Sequence, residues 1–483
     1  MNAPPLNVVL KGLYIGGEWV PGAGDHTFET INPSTGEKLG DVPLAGEADV
    51  DRAVAAAKKA FAQWSRVTVK ERARCLELLA TRITEHTGEL ALIDAVDSGN
   101  AIVGMRADMA WTADTLNYFA GLITEIKGET ASHGPGHLNF TRRQPYGVVA
   151  RINPFNHPFR FCAEKAAAPL AAGNCVVIKG SEQAPLSSLK LGELCDGIFP
   201  AGVVNIITGA GATGSALVRH PDVRRIGFVG SVPTGRAIAR EAADGLKPLT
   251  LELGGKNPII IFPDADPKKA AAAAIKGMNM NRQGQSCSST SRVLVHRLLH
   301  GAVVGELARQ AEALPVGLPW IESNEVGPIV SQRQFDRVMG FIEAGKTEGA
   351  KLVTGGERSG DPALRRGLFI LPTIFDGVTP DMRIGREEIF GPVMSVMPWD
   401  DYEEMLARAN GVEYGLTAAI VTNDLGKAME TAERVEAGYV WINSTGRYLG
   451  APYGGWKQSG IGQEECFDEL LSYTQIKNVN LRW

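Results

Sequence analysis

Short apolar runs alternate with helical stretches over most of the chain after residue 147. They form two groups, at residues 148–152, 176–178, 203–207, 226–229 and 249–253 and at residues 259–262, 292–295, 393–397, 418–421 and 439–442. Strands that alternate with helices are typical of parallel sheets covered by helices on both faces. The pattern therefore predicts an α/β fold with two doubly wound parallel-sheet domains.

The hydrophobic pattern is less regular before residue 147. Short alternating stretches broken by Gly and Pro turns predict strands and hairpins over residues 13–42. Helical periodicity predicts helices over 49–64, 69–87 and 101–126. Residues 138–143 alternate in a polar setting, which indicates an exposed ribbon. Residues 473–483 predict one further strand, which could pair with that ribbon in the same chain or in a neighbouring one.

Length and composition limit the class of protein. A chain of 483 residues is too long for one core and predicts two or three domains. A net charge of −5 argues against nucleic acid or an anionic membrane as a partner, and no apolar run approaches the ~20 residues of a transmembrane helix. Residues 1–5 lack the features of a secretory signal, so we expect a cytoplasmic protein.

Six scattered cysteines show no spacing typical of a disulfide framework or a metal site, so we expect free thiols and no metal. Cys287 differs from the others because small and polar residues surround it, with Gly284 upstream. Structural cysteines usually lie in apolar runs, which favours a thiol that a ligand can reach. An incidental cysteine in a Ser-rich loop is the alternative, and the local sequence does not separate the two.

Two polar residues lie in or directly after apolar runs. Glu252 lies inside the run 249–253, where burial would raise its pKa toward the value that a general base acting on water needs. A structural, ion-paired glutamate is the alternative. Asn156 follows the run 148–152 and precedes a helix, so its amide could donate to an oxyanion or could simply stabilise a turn.

Groups that suit a nucleotide lie at the ends of two other runs. Lys179 and Glu182 could hydrogen-bond ribose hydroxyl groups, and Gly230 with Ser231 precedes a helix whose free N–H groups could hold a phosphate. The glycine-rich fingerprint of dinucleotide-binding folds is missing at this position, so an ordinary strand–turn–helix remains the alternative.

One helix face after Asn156 is too polar for an ordinary core stripe. His157, Arg160, Phe161 and Glu164 recur at i, i+3, i+4 and i+7, which places them on a single face. Such a face could line a tunnel or could lie in solvent, and the sequence alone does not decide between these interpretations.

Seven short motifs occur in a fixed order along nearly the whole chain. They are Asn-Pro-Phe-Asn (153–156), Lys-Gly-Ser-Glu (179–182), Phe-Val-Gly-Ser (228–231), Leu-Glu-Leu-Gly-Gly (251–255), Gly-Gln-Ser-Cys (284–287), Glu-Glu-Ile-Phe-Gly-Pro (387–392) and Pro-Tyr-Gly-Gly-Trp-Lys (452–457). In this order they resemble the NAD(P)-dependent aldehyde dehydrogenase superfamily, of the non-acylating, hydrolytic type. The resemblance implies a Rossmann-like NAD-binding domain (1–122 and 146–255), a catalytic domain (256–460) and a small β oligomerisation arm (123–145 and 461–483).

The resemblance also implies roles for the three central residues. Cys287 would attack the aldehyde carbon, and Asn156 with the Cys287 backbone N–H would hold the oxyanion of the thiohemiacetal. Glu252 would activate the water that hydrolyses the resulting thioester to a carboxylic acid. A CoA-acylating aldehyde dehydrogenase is the nearest alternative, but it would not need Glu252. A catalytically silent relative and a cysteine hydrolase are the others.

The family positions imply a cofactor site of fifteen residues: Ile152, Asn153, Pro154, Phe155, Lys179, Ser181, Glu182, Gly211, Phe228, Gly230, Ser231, Thr234, Leu253, Glu388 and Phe390. Lys179 and Glu182 would bind the adenosine ribose, Ser231 the pyrophosphate and Glu388 the nicotinamide ribose. A carboxylate at Glu182 should repel a 2′-phosphate, so the resemblance favours NAD, with NADP as the alternative. A homodimer or homotetramer is expected.

The aldehyde tunnel implied by the resemblance is lined by Trp111, His157, Arg160, Phe161, Glu164, Asn281, Ser286 and Tyr453. His157, Glu164 and Tyr453 depart from the residues common in the family, as does Gly180 beside the nucleotide site. Aromatic side chains mixed with polar groups favour an aromatic or hydroxylated aldehyde, such as benzaldehyde, vanillin or salicylaldehyde. Arg160 could equally clamp the carboxylate of a semialdehyde, and an aliphatic or betaine-type aldehyde is a further alternative.

Overall fold

The computed structural model describes residues 4–6, 8, 10 and 12–483. Residues 1–3, on which part of the expectation about a secretory signal rests, lie outside the described residues. The strands are β1 (Leu13–Ile15), β2 (Glu18–Val20), β3 (Thr27–Ile31), β4 (Lys38–Pro43), β5 (Thr130–Ser132), β6 (His137–Pro145), β7 (Val148–Ile152), β8 (Cys175–Lys179), β9 (Val204–Ile207), β10 (Val223–Val229), β11 (Leu249–Glu252), β12 (Pro258–Ile261), β13 (Arg292–His296), β14 (Lys351–Thr354), β15 (Thr373–Asp376), β16 (Val393–Trp399), β17 (Tyr414–Gly415), β18 (Thr417–Val421), β19 (Tyr439–Ile442), β20 (Trp456–Lys457), β21 (Gly460–Ile461) and β22 (Thr474–Arg482).

The helices are α1 (Glu47–Trp64), α2 (Val69–Glu85), α3 (Thr87–Ser98), α4 (Ile102–Leu122), α5 (Pro158–Ala171), α6 (Leu186–Cys195), α7 (Gly211–Arg219), α8 (Val232–Ala243), α9 (Pro267–Gly277), α10 (His300–Glu312), α11 (Gln332–Thr347), α12 (Arg383–Arg386), α13 (Tyr402–Asn410), α14 (Leu425–Arg434) and α15 (Phe467–Ser472). Short 3₁₀ turns cover Ile123–Glu125 and Met280–Arg282. None of the helices in the described part of the chain combines the length and the apolar character needed to cross a bilayer.

The first large sheet has eight strands in the order β2-β1-β9-β8-β7-β10-β11-β21. Its five central strands are parallel, whereas β1, β2 and β21 run antiparallel at the edges. Strands β7, β8 and β9 are buried along their whole length, and α1, α5 and α6 pack against them. Cover on both faces explains why these strands are continuous apolar runs without alternation.

The second large sheet has seven strands in the order β14-β15-β16-β13-β12-β18-β19, and only β14 is antiparallel. Apolar side chains pack on it in two clusters, one centred on Ile260 and Phe341 and the other on Ile259 and Leu307. The predicted α/β fold with two doubly wound parallel sheets is therefore confirmed, with antiparallel strands added at the edges.

A separate three-stranded sheet joins the end of the chain to residues 130–145. Strand β22 pairs with β6 over nine positions, from Thr474 opposite Pro145 to Arg482 opposite His137, and β6 also pairs with β5. The predicted ribbon and the predicted final strand therefore pair within one chain. Most of β22 is exposed, which explains the polar alternation of its sequence.

Candidate active site

The loop that carries Cys287 has a constrained backbone. It leads from the 3₁₀ turn Met280–Arg282 to β13, and Gln283 and Gly284 take positive φ angles of 53° and 65°. The carbonyl group of Gly391 lies where a Cβ atom on residue 284 would stand, so only glycine fits at that position. The Gly-Gln-Ser-Cys motif thus supplies the residue that this close approach requires.

Asn257 holds the same loop against the second sheet. Its Nδ2 group donates to the carbonyl oxygens of Cys287 at 2.7 Å and Ser289 at 2.9 Å, and its Oδ1 accepts from the Thr417 N–H at 3.1 Å. All three bonds are buried, where loss of a partner would leave polar groups unsatisfied. The position of the Cys287 backbone therefore depends on a side chain 30 residues away.

Two side chains contact the Cys287 thiol. Cys287 is 8% exposed, its thiol interacts with the neighbouring Glu252 carboxyl group, and its Sγ lies 3.8 Å from the Tyr453 hydroxyl oxygen. Glu252 is the last residue of β11, and Gly460 of β21 lies opposite it in the first sheet. The segment from Tyr453 to β21 thus approaches the thiol from the same edge, and groups associated with both sheets meet there.

Burial moves both reactive groups toward their neutral forms. It raises the pKa of Glu252 to about 8, although the hydrogen bond with Cys287 opposes the change. Burial and, next, the negative charge of Glu252 raise the pKa of the Cys287 thiol well above its usual value, whereas Arg447 lowers it. A thiol beside a carboxyl group that ionises near physiological pH is suited to proton transfer between the two.

Asn156 precedes α5 and is 3% exposed. The Asn100 Nδ2 group donates to its backbone carbonyl at 3.0 Å. Its side-chain Oδ1 is buried and has no hydrogen-bond partner among the described residues, so this oxygen does not brace a turn as a loop asparagine usually does. The local backbone therefore does not fix the Asn156 side chain through its Oδ1 atom.

A buried charge cluster connects α4, the start of α5 and the loop before Cys287. Asp108 accepts from Arg282 Nη2 at 2.7 Å and pairs with His157 Nδ1 at 2.7 Å. Burial opposes ionisation of Asp108, but Arg282, His157 and Arg160 together hold its pKa far below the usual range. Burial, assisted by Arg282, lowers the pKa of His157 to about 3 despite the attraction of Asp108. This imidazole is therefore neutral and fixed in place.

The polar face of α5 is buried. His157, Arg160, Phe161 and Glu164 are all less than a tenth exposed, so the interpretation of a solvated face is wrong. Charge pairing is the reason, because Arg160 Nε donates to Glu164 Oε2 at 2.6 Å and Arg160 Nη1 lies 3.5 Å from Asp108 Oδ1. Glu164 is therefore the main partner of Arg160, while the buried Arg160 Nη2 has no hydrogen-bond partner among the described residues.

The other tunnel candidates divide into two sets. The Arg160 guanidinium carbon lies 5.1 Å from the centroid of the Trp111 ring, and the buried Trp111 Nε1 has no partner among the described residues. The Tyr453 ring is 1% exposed and packs in one apolar cluster with Cys287. Asn281 and Ser286 instead bond within their own loop, Asn281 Oδ1 to Arg282 at 3.1 Å and Ser286 Oγ to Asn279 at 3.4 Å.

Most candidates for cofactor binding lie at the carboxyl edge of the first sheet. Lys179 ends β8, and its Nζ lies 3.2 Å from Glu182 Oε2. The Asn153 N–H donates to the Lys179 carbonyl at 3.0 Å, which joins the ends of β7 and β8. Open parallel sheets bind ligands at this edge. Next to the same strand ends lie Ile152, Pro154, Phe155, Ser181, Phe228 and Leu253.

Two helix starts at this edge are exposed. Ser231 is the N-cap of α8, where its Oγ lies 2.9 Å from Thr234 Oγ1 and accepts from the Thr234 N–H at 3.5 Å. A Cβ atom on Gly230 would collide with the Phe228 ring, so glycine is required before the cap. Gly211 is the first residue of α7 and is also exposed. The N–H groups of such helix starts can bind an anion.

Glu388 and Phe390 approach this edge from the second sheet. The Gly255 N–H donates to Glu388 Oε1 at 2.9 Å, and the carboxylate lies against Gly254, where a Cβ atom would collide with it. Removal from water raises the pKa of Glu388 to about 7. The Phe390 ring meets the Phe155 ring edge-on at 5.7 Å. Groups from the two units therefore meet at this edge.

Sequence reasoning missed a second group of charges beside the thiol. Lys165 Nζ lies within 3.3 Å of carboxylates from Glu164, Glu464 and Glu465. Arg447 Nη1 donates to Glu465 Oε1 at 2.7 Å. The adjacent acids at 464 and 465 were the available signal, because carboxylates that a fold buries need cations nearby. Asn257 was visible only as part of the Leu-Glu-Leu-Gly-Gly-Lys-Asn stretch.

Comparison with known proteins extends the match to nearly the whole chain. The sequence matches the aldehyde dehydrogenase family over residues 19–479. Aldehyde dehydrogenase tropH from Talaromyces stipitatus is 44% identical over 492 aligned residues, which cover 99% of this chain and 95% of that protein.

Solved structures agree at the level of the fold. The NAD+ complex of aldehyde dehydrogenase from Bacillus cereus is 42% identical with a TM-score of 0.95, covering 99% of this chain and 97% of that one. Betaine aldehyde dehydrogenase (betB) from Staphylococcus aureus in complex with NAD+ is 35% identical with a TM-score of 0.96, covering 99% and 95%. With two parallel sheets, a cysteine at their junction and a match over almost its full length, this chain belongs to the aldehyde dehydrogenase family.

Proposed function

We propose that the protein oxidises an aldehyde to the carboxylic acid with NAD as its cofactor, through a thioester on Cys287. The observation that carries this proposal is the buried Glu252 carboxyl group beside the Cys287 thiol, where burial raises the pKa of Glu252 to about 8 and leaves its Oε1 without a hydrogen-bond partner among the described residues. A cysteine beside a buried proton acceptor has the two groups that nucleophilic attack and later hydrolysis require.

The reaction uses groups of this chain at each stage. Glu252 accepts the thiol proton, and the Cys287 thiolate attacks the aldehyde carbon to form a thiohemiacetal. The Asn156 amide donates to the oxyanion, a contact worth about 10²- to 10³-fold in rate in enzymes where such a donor was removed. Bound NAD supplies the acceptor for the hydride that leaves this carbon. Glu252 then loses the thiol proton to solvent and takes a proton from the water that attacks the thioester. Collapse of the tetrahedral intermediate releases the acid, and the Cys287 thiolate that leaves takes the proton back from Glu252.

The residues at the carboxyl edge of the first sheet fit NAD. The Bacillus cereus and Staphylococcus aureus enzymes were both solved with NAD+. We assign Lys179 and Glu182 to the adenosine ribose, Ser231 at the exposed start of α8 to the pyrophosphate and Glu388 to the nicotinamide ribose. The Glu182 carboxylate would repel a 2′-phosphate, so NADP is the weaker cofactor. On this assignment, residues 1–122 and 146–255 form the NAD-binding domain and 256–460 the catalytic domain.

The substrate that we propose is an aromatic aldehyde. Trp111, Phe161 and Tyr453 provide flat apolar surfaces around the path to Cys287, and the unpartnered Trp111 Nε1 could meet a ring substituent. A semialdehyde held by Arg160 is less favoured, because Glu164 and Asp108 already pair with that guanidinium. A betaine-type aldehyde is less favoured as well, since a quaternary ammonium group would meet cations at Arg160 and Arg447.

The two other reaction classes lack support from the site. A CoA-acylating enzyme passes its thioester to a thiol and has no use for Glu252. A cysteine hydrolase needs a histidine beside the nucleophile, but His157 is committed to Asp108 and Arg282. Six free cysteines fit the proposal of a reducing, cytoplasmic compartment, where Cys287 stays available.

The arm supports a proposal about assembly. Strand β22 has a single neighbouring strand, β6, within the described part of the chain, and Ile476, Leu481 and Trp483 are exposed along or beyond it. An exposed strand edge with apolar side chains readily pairs with another copy. We propose a homodimer or homotetramer in which residues 123–145 and 461–483 form part of the contact.

An aldehyde panel followed by NADH absorbance tests the proposal. Benzaldehyde, vanillin and salicylaldehyde should be turned over with higher kcat/KM than butanal, betaine aldehyde and succinate semialdehyde, and NAD should be preferred to NADP. Acid should form without CoA. Cys287→Ser should abolish NADH formation. A preference for succinate semialdehyde that disappears in Arg160→Ala would contradict the aromatic assignment, and a need for CoA would contradict the hydrolytic one.

A further inference from the structure

Arg447 is a partly exposed cation near the reacting thiol. It belongs to the irregular segment that follows β19, in which the neighbouring Tyr448 is 73% exposed. The Arg447 guanidinium carbon lies 3.5 Å from the centroid of the Tyr453 ring, and the hydroxyl group of that ring lies 3.8 Å from Cys287 Sγ. The Tyr453 side chain therefore contacts the guanidinium with its ring face and approaches the nucleophile with its hydroxyl group.

The charges around Arg447 do not balance. Four cations form one connected set of ion pairs with three carboxylates, the cations being Arg151, Arg160, Lys165 and Arg447 and the carboxylates Glu164, Glu464 and Glu465. Asp108, which also approaches Arg160, is balanced by Arg282. Burial and the neighbouring Glu464 raise the pKa of the adjacent Glu469, which moves this carboxyl group toward its neutral form. With Arg282 and Asp108 included, five cations thus face four carboxylates in these ion pairs.

Arg447 is the cation of this set that a ligand can reach. Its side chain is 18% exposed, against 9% for Arg160, 3% for Lys165 and none for Arg151. Its hydrogen bond to Glu465 uses one of five N–H donors, and Lys165 at 3.3 Å and Arg160 at 3.5 Å share that carboxylate. Stacking on Tyr453 fixes the plane of the guanidinium, which reduces the entropy lost when it binds an anion.

We propose that Arg447 is a specificity-determining residue that selects aromatic aldehydes carrying a carboxylate on the ring, opposite the aldehyde. The inference rests on the proposed function and narrows its substrate class. With the aldehyde carbon at Cys287, a benzene ring beside Tyr453 would direct a para carboxylate toward the guanidinium. Arginine can bind such a group through two parallel hydrogen bonds, and the bound anion balances the remaining positive charge.

Two matched pairs of aldehydes test this role in the wild-type enzyme and in Arg447→Gln. The pairs are benzaldehyde with 4-carboxybenzaldehyde, and butanal with succinate semialdehyde. In Arg447→Gln, KM for 4-carboxybenzaldehyde should rise about 10- to 100-fold, the loss expected for a hydrogen bond to a charged group, while KM for benzaldehyde changes less than about threefold. Because Arg447 also lowers the pKa of the Cys287 thiol, kcat should fall by the same factor for both aldehydes. Arg447→Lys should recover part of the affinity.

Arg297→Gln is the matched control, because Arg297 is exposed and pairs with Asp400 on the surface. It should behave as wild type. An equal rise in KM for benzaldehyde and 4-carboxybenzaldehyde would show a merely structural role for Arg447. An unchanged KM for both aldehydes would equally overturn the proposal. If butanal and succinate semialdehyde are the better substrates and only the carboxylated one depends on Arg447, the role of Arg447 stands and the aromatic assignment fails.

Binding of the products gives a readout that does not need turnover. Terephthalate should bind more tightly than benzoate to the wild-type enzyme in calorimetric titration, and Arg447→Gln should remove the difference. Equal affinities of the wild-type enzyme for terephthalate and benzoate would contradict the selection of a carboxylate by Arg447. This outcome can be measured even if no aldehyde yields NADH and the proposed reaction is wrong.

Discussion

At the scale of single residues, the environment of Cys287 keeps its thiol protonated until a partner takes the proton. Burial and the nearby Glu252 both raise the pKa of the thiol, and only Arg447 and the Tyr453 hydroxyl oppose them. Glu252 is the neighbour of the thiol whose own pKa, raised to about 8 by burial, lies near physiological pH. Proton transfer between these two residues is therefore the control point of the proposed chemistry.

For this reason we expect the rate of catalysis to be higher at alkaline pH. The base form of Glu252 is the carboxylate, and a pKa of about 8 means that this form is the minority at pH 7. The rate of acyl-enzyme hydrolysis should rise with pH, by about tenfold per unit well below the pKa, and should level off above it. Quenched-flow measurements from pH 6 to 9 would check this, and a rate independent of pH would exclude Glu252 as the base.

The sequence predicted the members of the site better than their contacts. Cys287, Glu252 and Asn156 lie in short motifs, so their order along the chain pointed to them, although their assigned roles remain predictions. Asn257 was missed because it acts through a contact with Cys287, 30 residues away, and Arg447 because its contact with Tyr453 forms in an irregular segment without a hydrophobic pattern. The buried state of the α5 face was also undecided, because it depends on counter-charges such as Asp108 from another helix.

At the scale of elements, long apolar strands were predictable and short edge strands were not. The runs that became β7, β8 and β11 are buried on both faces and have nearly the predicted bounds. Strands β14 and β15 were missed because each has four residues and β14 is largely exposed, so neither has an apolar run that differs from a loop. Loops at the site are positioned by side-chain hydrogen bonds, which periodicity does not reveal.

The loop that carries Cys287 offers a direct test of this positioning. Asn257→Ala removes the two donors that hold the Cys287 and Ser289 carbonyls. We expect the free energy of unfolding to fall by about 1–3 kcal/mol for the unsatisfied buried groups and kcat to fall by about 10²-fold, because a small misplacement of a nucleophile is costly.

Denaturant unfolding and steady-state kinetics would measure the two effects of Asn257→Ala. Asn410→Ala is a suitable control, because Asn410 uses the same amide chemistry to brace Arg434 and Glu436 at an exposed position. It should lose less stability and keep its kcat. A normal kcat in stable Asn257→Ala protein would show that the loop does not depend on this amide.

At the scale of the whole molecule, the end of the chain ties the parts together. After the second sheet is complete, β21 returns to the first sheet beside β11, and β22 then pairs with β6 in the small sheet. Residues 453–465 therefore bring Tyr453, Glu464 and Glu465 to a site whose nucleophile lies in the sequence of the second unit. Hydrophobic pattern predicted the two sheets but not this return, because β20 and β21 have only two residues each.

The exposed edge of β22 leads to a prediction about assembly. Replacing Ile476 and Leu481 together by lysine places charges along that edge, which should oppose pairing with a second copy. Light scattering should show a mass that falls toward that of one chain. Leu425→Lys, at an equally exposed position on α14, should leave the mass unchanged. An oligomer that survives the double substitution would place the contact elsewhere.

The most direct test of the account is the fate of the thioester in Glu252→Gln. The amide introduced by this substitution cannot take a proton from water, so aldehyde and NAD should yield a burst of about one NADH per active site, with steady-state turnover reduced by about 10²- to 10⁴-fold. Mass spectrometry of the quenched protein should find the acyl group on the Cys287 peptide. Undiminished steady-state turnover, or an acyl group on another residue, would contradict the account.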